Sequence, residues 1–176
     1  MRALPNTHST TYRLTYAIWH SCGYGNPYWG ECNLNVQDTD EHFGLWVLHT
    51  TWVAHAPYLR KFVDGGAYTV PTVTKYDANM PSAESYADPI WVRVVCDPDD
   101  QNNQHLKVYC ATTEAGLGSA AVCMTFNDTG GDLTGGSFGL GGGSHLVADD
   151  FKVEVPDGQG GWQTETWEGF EVDANG

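Results

Sequence analysis

Hydrophobic and polar residues alternate with a period of two along several stretches of the chain. Such alternation predicts β-strands with one face buried and the other in water. Strands of this kind belong to antiparallel sheets, because parallel sheets are buried on both faces. The apolar positions are Tyr12, Leu14, Tyr16 and Ile18; Ile90, Val92, Val94 and Cys96; Leu106, Val108 and Cys110; Val122, Met124 and Phe126; and Phe151, Val153 and Val155.

Turn-forming residues separate these stretches. Segments 97–104, 127–136 and 157–161 are rich in Gly, Asn and Asp, and the first of them predicts a hairpin between its flanking strands. No window of 12 residues shows a 3.6-residue period with helix caps. The pattern therefore predicts an all-β protein, an antiparallel β-sandwich or a barrel.

The charge balance excludes several classes of partner. The 176 residues include 8 Lys and Arg against 22 Asp and Glu, a formal net charge of −14. A nucleic-acid partner is disfavoured because phosphate binding needs Lys and Arg, and docking on anionic lipid is disfavoured for the same reason. No run approaches the ~20 apolar residues of a membrane span, so we expect no membrane insertion.

Residues 1–6 include no apolar segment of signal-peptide length, so we expect no signal peptide within this chain. Either the protein is cytosolic or the chain is a piece of a longer protein. The 7 Trp, 9 Tyr and 6 Phe supply the large buried areas of a folded domain. At this length the chain fits one domain.

Five cysteines leave at least one thiol without an intramolecular partner. Cys22 and Cys32 flank a loop rich in Gly, Tyr and Trp, where a local disulfide and two free thiols both fit. Cys96 and Cys110 should lie ~20 Å apart at opposite ends of a hairpin. Strict alternation places Cys110 and Cys123 on opposite faces of the sheet. We therefore predict no bridge among these three, and buried free thiols instead.

The order of the strands resembles the concanavalin A-like lectin/glucanase (laminin-G-like) jelly roll. The resemblance lies in Trp91-Val92-Arg93-Val94, in a paired strand at 105–109, in a Gly-Leu strand at 136–141 and in a closing Asp149-Asp150-Phe151 strand. It covers residues 10–156 and implies an all-β antiparallel sandwich, a jelly roll of the concanavalin A-like type. Residues 1–9 are then an N-terminal extension, and residues 157–176 a C-terminal strand or linker.

The C-terminal residues 171–176 look like the beginning of a YD repeat, with Val172 in place of the tyrosine. Jelly rolls of this class occur beside such repeats in bacterial YD-repeat (Rhs-like) surface proteins. That resemblance implies a module of a larger secreted or cell-surface protein, in which a missing signal peptide is expected. The alternative is an ordinary polar tail.

The sequence offers no catalytic residues. Glucanases of the resembled family carry Glu-x-Asp-x-x-Glu on one strand, and this chain has no such motif. The nearest carboxylate cluster, Glu168, Glu171 and Asp173, has different spacing and is better explained as a solvated acidic tail. Retaining hydrolysis needs two carboxylates ~5 Å apart, so an enzyme would need them from separate strands.

Asp149 and Asp150 are the candidate metal ligands. Neighbouring strand residues face opposite ways, so only one can point inward, and a buried carboxylate needs a cation or hydrogen-bond donors. The resemblance implies a structural calcium ion near the closing strand, which oxygen ligands suit. The alternative is that one Asp accepts backbone N–H bonds while the other is solvated.

Aromatic residues are the candidate ligand-binding groups. Tyr24, Tyr28 and Trp29 lie in the Gly-rich loop, and Trp52 lies between two predicted strands. We expect a non-catalytic module that binds a glycan or a neighbouring domain of the parent protein. The alternatives are a polysaccharide-active glycoside hydrolase with dispersed catalytic carboxylates and a structural spacer.

Overall fold

The computed structural model describes residues 2–3, 10–20, 28–38, 41–49, 56–63, 68–85, 87–97, 104–129, 133, 137–142 and 146–168. In chain order the strands are β1 (Arg2–Ala3), β2 (Tyr12–His20), β3 (Tyr28–Asp38), β4 (Glu41–His49), β5 (Tyr58–Phe62), β6 (Thr74–Lys75), β7 (Ile90–Cys96), β8 (Gln104–Ala111), β9 (Val122–Asp128), β10 (Ser137–Gly142), β11 (Leu146–Pro156) and β12 (Trp162–Glu168). Two single-turn 3-10 helices, Asp77–Asn79 and Ala115–Gly118, are the helical segments within these ranges.

The strands form two antiparallel sheets. One has five strands in the order β1-β10-β3-β4-β5, and the other has seven in the order β12-β11-β2-β7-β8-β9-β6. The chain crosses repeatedly between the sheets, as β2 to β3 and β9 to β10 to β11 show. Such crossing is found in β-sandwiches, jelly rolls among them. The predicted all-β antiparallel sandwich is confirmed.

The inward faces of the sheets bury an aromatic core. Tyr12 on β2 meets Phe138 on β10 edge to face, with ring centroids 4.8 Å apart. Phe43 on β4 meets Phe126 on β9 in the same way at 5.6 Å. Each pair joins one sheet to the other, and aromatic pairs of this geometry add about 0.5–1.5 kcal/mol beyond the area they bury. The sheets are thus held face to face.

Two polar links also join the sheets. The Lys61 ammonium on β5 donates to Asp128 Oδ1 on β9 at 2.7 Å, with both side chains almost fully buried. Asn35 on β3 donates from Nδ2 to Gln104 Oε1 on β8 at 3.2 Å and to the Leu133 carbonyl at 2.9 Å. Buried polar groups that lose such partners are costly, so these links constrain how one sheet sits on the other.

A β-bulge on β9 corrects the predicted arrangement of two cysteines. The register changes from Val108↔Met124 to Tyr109↔Val122, which leaves Cys123 as the extra residue. Because the bulge breaks the alternation, Cys123 and Cys110 face the same interior, and their Sγ atoms lie 3.6 Å apart. The expectation that they face opposite sides of the sheet was wrong. Both are free thiols.

Cys32 is also a free thiol, fully buried on the inward face of β3 opposite Leu45. Of the two alternatives for this residue, the free thiol is therefore the one observed, and its proposed disulfide partner Cys22 lies outside the described residues. Burial raises the pKa of the Cys32 thiol well above its ordinary value, and the nearby Glu31 charge adds to this.

Both ends of the chain contribute strands. β1 pairs with β10 at the edge of the five-stranded sheet, and β12 pairs with β11 at the edge of the seven-stranded sheet.

Within the described ranges, no helix has the length and apolar character to cross a membrane.

Candidate functional site

The aromatic residues that the sequence singled out fall at the limits of the described structure. Tyr24 and Trp52 lie outside it. Tyr28 and Trp29 begin β3, where their backbones pair with His49 and Leu48 of β4. They therefore belong to one end of the five-stranded sheet, whose outer face carries the aromatic groups described next.

A row of stacked side chains crosses the outer face of the five-stranded sheet. The Arg60 guanidinium carbon lies 4.7 Å from the centroid of the Trp46 ring and 4.2 Å from that of Tyr68. The Tyr68 ring is 5.6 Å from Phe62, which stacks on His42 at 4.4 Å and 15° between planes. We call these five residues the aromatic row.

Strand pairing explains why the row forms. β5 pairs with β4 so that Gly44 faces Arg60 and His42 faces Phe62. Opposed residues of an antiparallel pair project from the same face. Tyr68 joins from outside the strands, because Thr69 pairs with Lys61 through backbone hydrogen bonds of 2.9 and 2.8 Å.

A carboxylate lies beside the row. Glu31 on β3 pairs with Trp46 on β4 and is half-buried. Burial raises the pKa of Glu31, and the Arg60 charge opposes this only in part. A Cβ at Gly44 would lie 3.1 Å from Glu31 Oε1 and 3.2 Å from Trp46 Nε1. The bare backbone of Gly44 thus lets the carboxylate and the indole approach each other.

Trp46 Nε1 is a buried donor with no hydrogen-bond partner within the described part of the chain. A buried N–H without a partner costs about 1–3 kcal/mol. The outer face therefore combines flat aromatic surface with the cation of Arg60 and the carboxyl of Glu31, which are the kinds of group that fix a polar ligand on an apolar platform.

Two exposed tyrosines lie at the row, because Tyr68 belongs to it and Tyr58 pairs with Trp46. The exposed large hydrophobic side chains of the described residues are Tyr58, Tyr68, Val70 and Tyr76, with exposures of 47, 45, 62 and 44%. All four lie within residues 58–76. Tyr58 faces Trp46 across the strands, and the Lys75 ammonium lies 3.4 Å from its ring centroid. Exposed aromatic residues clustered in this way mark recognition surfaces.

Asp149 and Asp150 lie at a β-bulge of β11, where the pairing with β2 shifts between Asp149 and Lys152. Asp150 has a left-handed φ of 54°, and its N–H donates to Asp149 Oδ1 at 2.8 Å. Burial raises the pKa of Asp150, and the charges of Asp149 and Glu114 add to this. Across the described ranges no cluster of three or more His, Cys, Asp or Glu could hold a metal ion.

Sequence reasoning missed the row, although the pattern contains a signal for part of it. Phe43, Leu45 and Val47 are fully buried, so alternation places Trp46 on the opposite, outer face. Trp19 and Trp91, which the same rule places off the apolar face, are indeed only half-buried. Tyr68 has no such signal because no alternation surrounds it.

Comparisons with known proteins add little beyond the fold. No protein-family model matches the chain, and no curated protein matches it. Among solved structures it is similar to a native heptameric SAP-like pentraxin from Limulus polyphemus, with a TM-score of 0.42 and 14% identity over 87% of this chain. The chain spans 66% of that pentraxin, just under two thirds of its length.

Proposed function

We propose that the chain is a non-catalytic glycan-binding module whose ligand stacks on the aromatic row. The observation that carries the proposal is the Trp46–Arg60–Tyr68 stack on the outer face. Its outermost ring, Tyr68, is 45% exposed. A sugar ring has an apolar C–H face and a rim of hydroxyl groups. Flat aromatic rings complement the first, and Arg60 and Glu31 complement the second.

The same proposal places the module in a larger secreted or cell-surface protein, as the resemblance to YD-repeat proteins implies. A calcium ion at Asp149 and Asp150 is part of it, because the two adjacent carboxylates lie at the bulge of β11 and a cation would offset their mutual repulsion. These carboxylates lie on the seven-stranded sheet, so calcium would stabilise the fold and would not contact a sugar on the aromatic row.

A glycan-array screen with calcium and with a chelator, followed by titration calorimetry on each hit, tests the proposal. Tyr68→Ala should weaken binding about tenfold or more, because it removes an exposed ring of the stack. Tyr68→Phe keeps the ring and should lose far less. Tyr76→Ala is the matched control: its tyrosine is equally exposed (44%) but stands outside the row.

Each result bears on the proposal. Binding that Tyr68→Ala abolishes and Tyr76→Ala leaves intact supports it. A hit unaffected by Tyr68→Ala contradicts the assignment of the row. Absence of binding across a broad panel contradicts glycan recognition and favours a spacer or a surface for a neighbouring domain. If the chelator lowers the melting temperature of the protein, the calcium proposal is supported.

A polysaccharide hydrolase is the second candidate, and Glu31 is the observation that favours it. A half-buried carboxyl with a raised pKa has the property of a general acid. Any glycan that binds should therefore also be tested for cleavage, by following new reducing ends. Cleavage that Glu31→Gln abolishes, while binding persists, would replace the binding proposal with the enzymatic one.

A further inference from the structure

A recess lies on the outer face of the seven-stranded sheet, on the opposite side of the sandwich from the aromatic row. Its volume is about 240 Å³. Arg13 from β2, Arg93 from β7, Tyr109 from β8 and Trp162 from β12 line it, and Leu117 of the second 3-10 helix closes one side. The residues lining this recess, which we call the arginine recess, include two cations and no carboxylate.

The two arginines differ in how they are neutralised. Arg13 donates from Nε and Nη2 to the two carboxylate oxygens of Glu154 at 2.7 and 2.6 Å, and its guanidinium lies 4.9 Å from the Trp162 ring centroid. Arg93 donates from Nε to the Thr15 hydroxyl at 3.4 Å. Among the described residues, no carboxylate forms a salt bridge with Arg93.

The environment of Arg93 is unfavourable for a cation. Its side chain is half-buried, and the like charge of Arg13 acts on it. Burial lowers the pKa of the guanidinium and the Arg13 charge lowers it further, while the charges of Glu154 and Glu114 oppose this only in part. An arginine nevertheless keeps its proton. A partly desolvated cation that forms no direct ion pair is costly, and a bound anion would offset that cost.

From this geometry we propose that the arginine recess binds the carboxylate of a hexose-sized ring, a uronate sugar, with Arg93 as the carboxylate-binding residue. The guanidinium fork matches a carboxylate in two hydrogen bonds. Trp162 and Tyr109 supply flat surface for the ring. The volume is below the ~300 Å³ at which pockets for drug-sized ligands begin, which fits one ring.

The charge of the whole chain restricts the ligand further. With 22 acidic residues against 8 basic ones, a polyanion would be repelled at long range. A ligand with one carboxylate is repelled less, and inside the recess it meets the charge of Arg93, since Glu154 neutralises Arg13. This reasoning selects a single uronate residue, free or at the end of a chain, over nucleic acid or a highly sulfated polymer.

Titration calorimetry with D-glucuronate, D-glucose and inorganic sulfate at constant ionic strength tests the proposal. D-glucuronate should bind saturably, and D-glucose should bind at least tenfold more weakly because it lacks the carboxylate. Sulfate should also bind more weakly because it offers no ring to Trp162.

Two variants keep the test independent of folding and of the aromatic row. Arg93→Gln should lose at least tenfold in D-glucuronate affinity, and a cooperative thermal unfolding transition should show that the variant remains folded. Tyr68→Ala should leave D-glucuronate binding unchanged. The proposal is overturned if D-glucuronate does not bind, or if D-glucose or sulfate binds as tightly as D-glucuronate. It is also overturned if Arg93→Gln binds D-glucuronate as tightly as the wild type.

Discussion

At the scale of single residues, Glu154 is the charge on which the outer face of the seven-stranded sheet depends. Only 6% of it is exposed, and it accepts two short hydrogen bonds from Arg13. Burial raises the pKa of Glu154, but the Arg13 hydrogen bonds and charge, with Lys152 and Arg93, outweigh this and lower the pKa overall. The ionised carboxylate therefore stabilises the folded state.

We predict that Glu154→Gln lowers the free energy of unfolding by about 1–3 kcal/mol at neutral pH, between the values for exposed and buried ion pairs. The pKa of Glu154 is lower in the folded protein than its ordinary value of 4.5. The ionised carboxylate therefore stabilises the fold fully above pH 4.5, and this contribution is lost as the pH falls through the folded-state pKa. The difference between wild type and variant should therefore shrink below pH 4.5. Urea unfolding at a series of pH values measures it.

Glu114→Gln is the matched control for this prediction. Glu114 accepts from Lys152 at 3.1 Å on the same face, but its side chain is 49% exposed. Exposed pairs contribute about 0–1 kcal/mol, so this variant should lose little stability. If both variants lose equal stability, burial is not what makes the Arg13–Glu154 pair matter.

At the scale of elements, β7 and β9 show what alternation can and cannot predict. In β7 the burial pattern alternates residue by residue, with Ile90, Val92, Val94 and Cys96 buried and the intervening Trp91, Arg93 and Val95 partly exposed. In β9 one bulged residue, Cys123, reverses the rule and brings its sulfur to Cys110. Nothing local in the sequence marks the bulge, because the pairing with β8 creates it.

Alternation likewise predicts some residues of the candidate sites and not others. Trp46 and Arg93 were predictable as outward-facing from their own strands, because each alternates with buried neighbours. The stack around Tyr68 was not, since it needs the long-range bridge between Lys61 and Thr69. Likewise, the arginine recess draws on four separate strands, and a period of two specifies a face but not the order of strands within the sheet.

Asn35 is a second irregular position, because the pairing of β3 with β4 shifts between Leu34 and Asp38. Substitutions there measure how much this position contributes to the stability of the fold. It has a left-handed φ of 51°, is fully buried, and links β3 to Gln104 and Leu133. Asn35→Gly keeps the backbone freedom but loses both hydrogen bonds, which should cost about 1–3 kcal/mol. Asn35→Ala should lose the same hydrogen bonds and a further ~1–2 kcal/mol of stability, because alanine, unlike glycine, has a Cβ that disfavours the left-handed region.

Urea unfolding of the three proteins measures this order, with the m-values compared to confirm that the unfolded states are alike. The expected ranking of stability is wild type, then Asn35→Gly, then Asn35→Ala. Equal stability of the two variants would mean that the left-handed backbone is not retained in solution. Full stability of Asn35→Gly would mean that the link between the sheets contributes nothing.

At the scale of the whole molecule, the net charge of −14 opposes compaction through repulsion among carboxylates. Two effects of added salt then compete. Screening weakens this repulsion, and it also weakens exposed ion pairs such as Lys152–Glu114. The pairs that join structural elements, Lys61–Asp128 and Arg13–Glu154, are largely buried and are screened much less.

We therefore predict that raising sodium chloride from 0.01 M to 0.1 M, which shortens the Debye length from about 30 to about 10 Å, raises the melting temperature. The exposed pair contributes about 0–1 kcal/mol at most, whereas the repulsion involves every carboxylate of the chain. Arg93→Gln should respond in the same direction, which separates general screening from chloride bound in the arginine recess. A melting temperature that falls with salt in both proteins would show that local ion pairs outweigh the net charge.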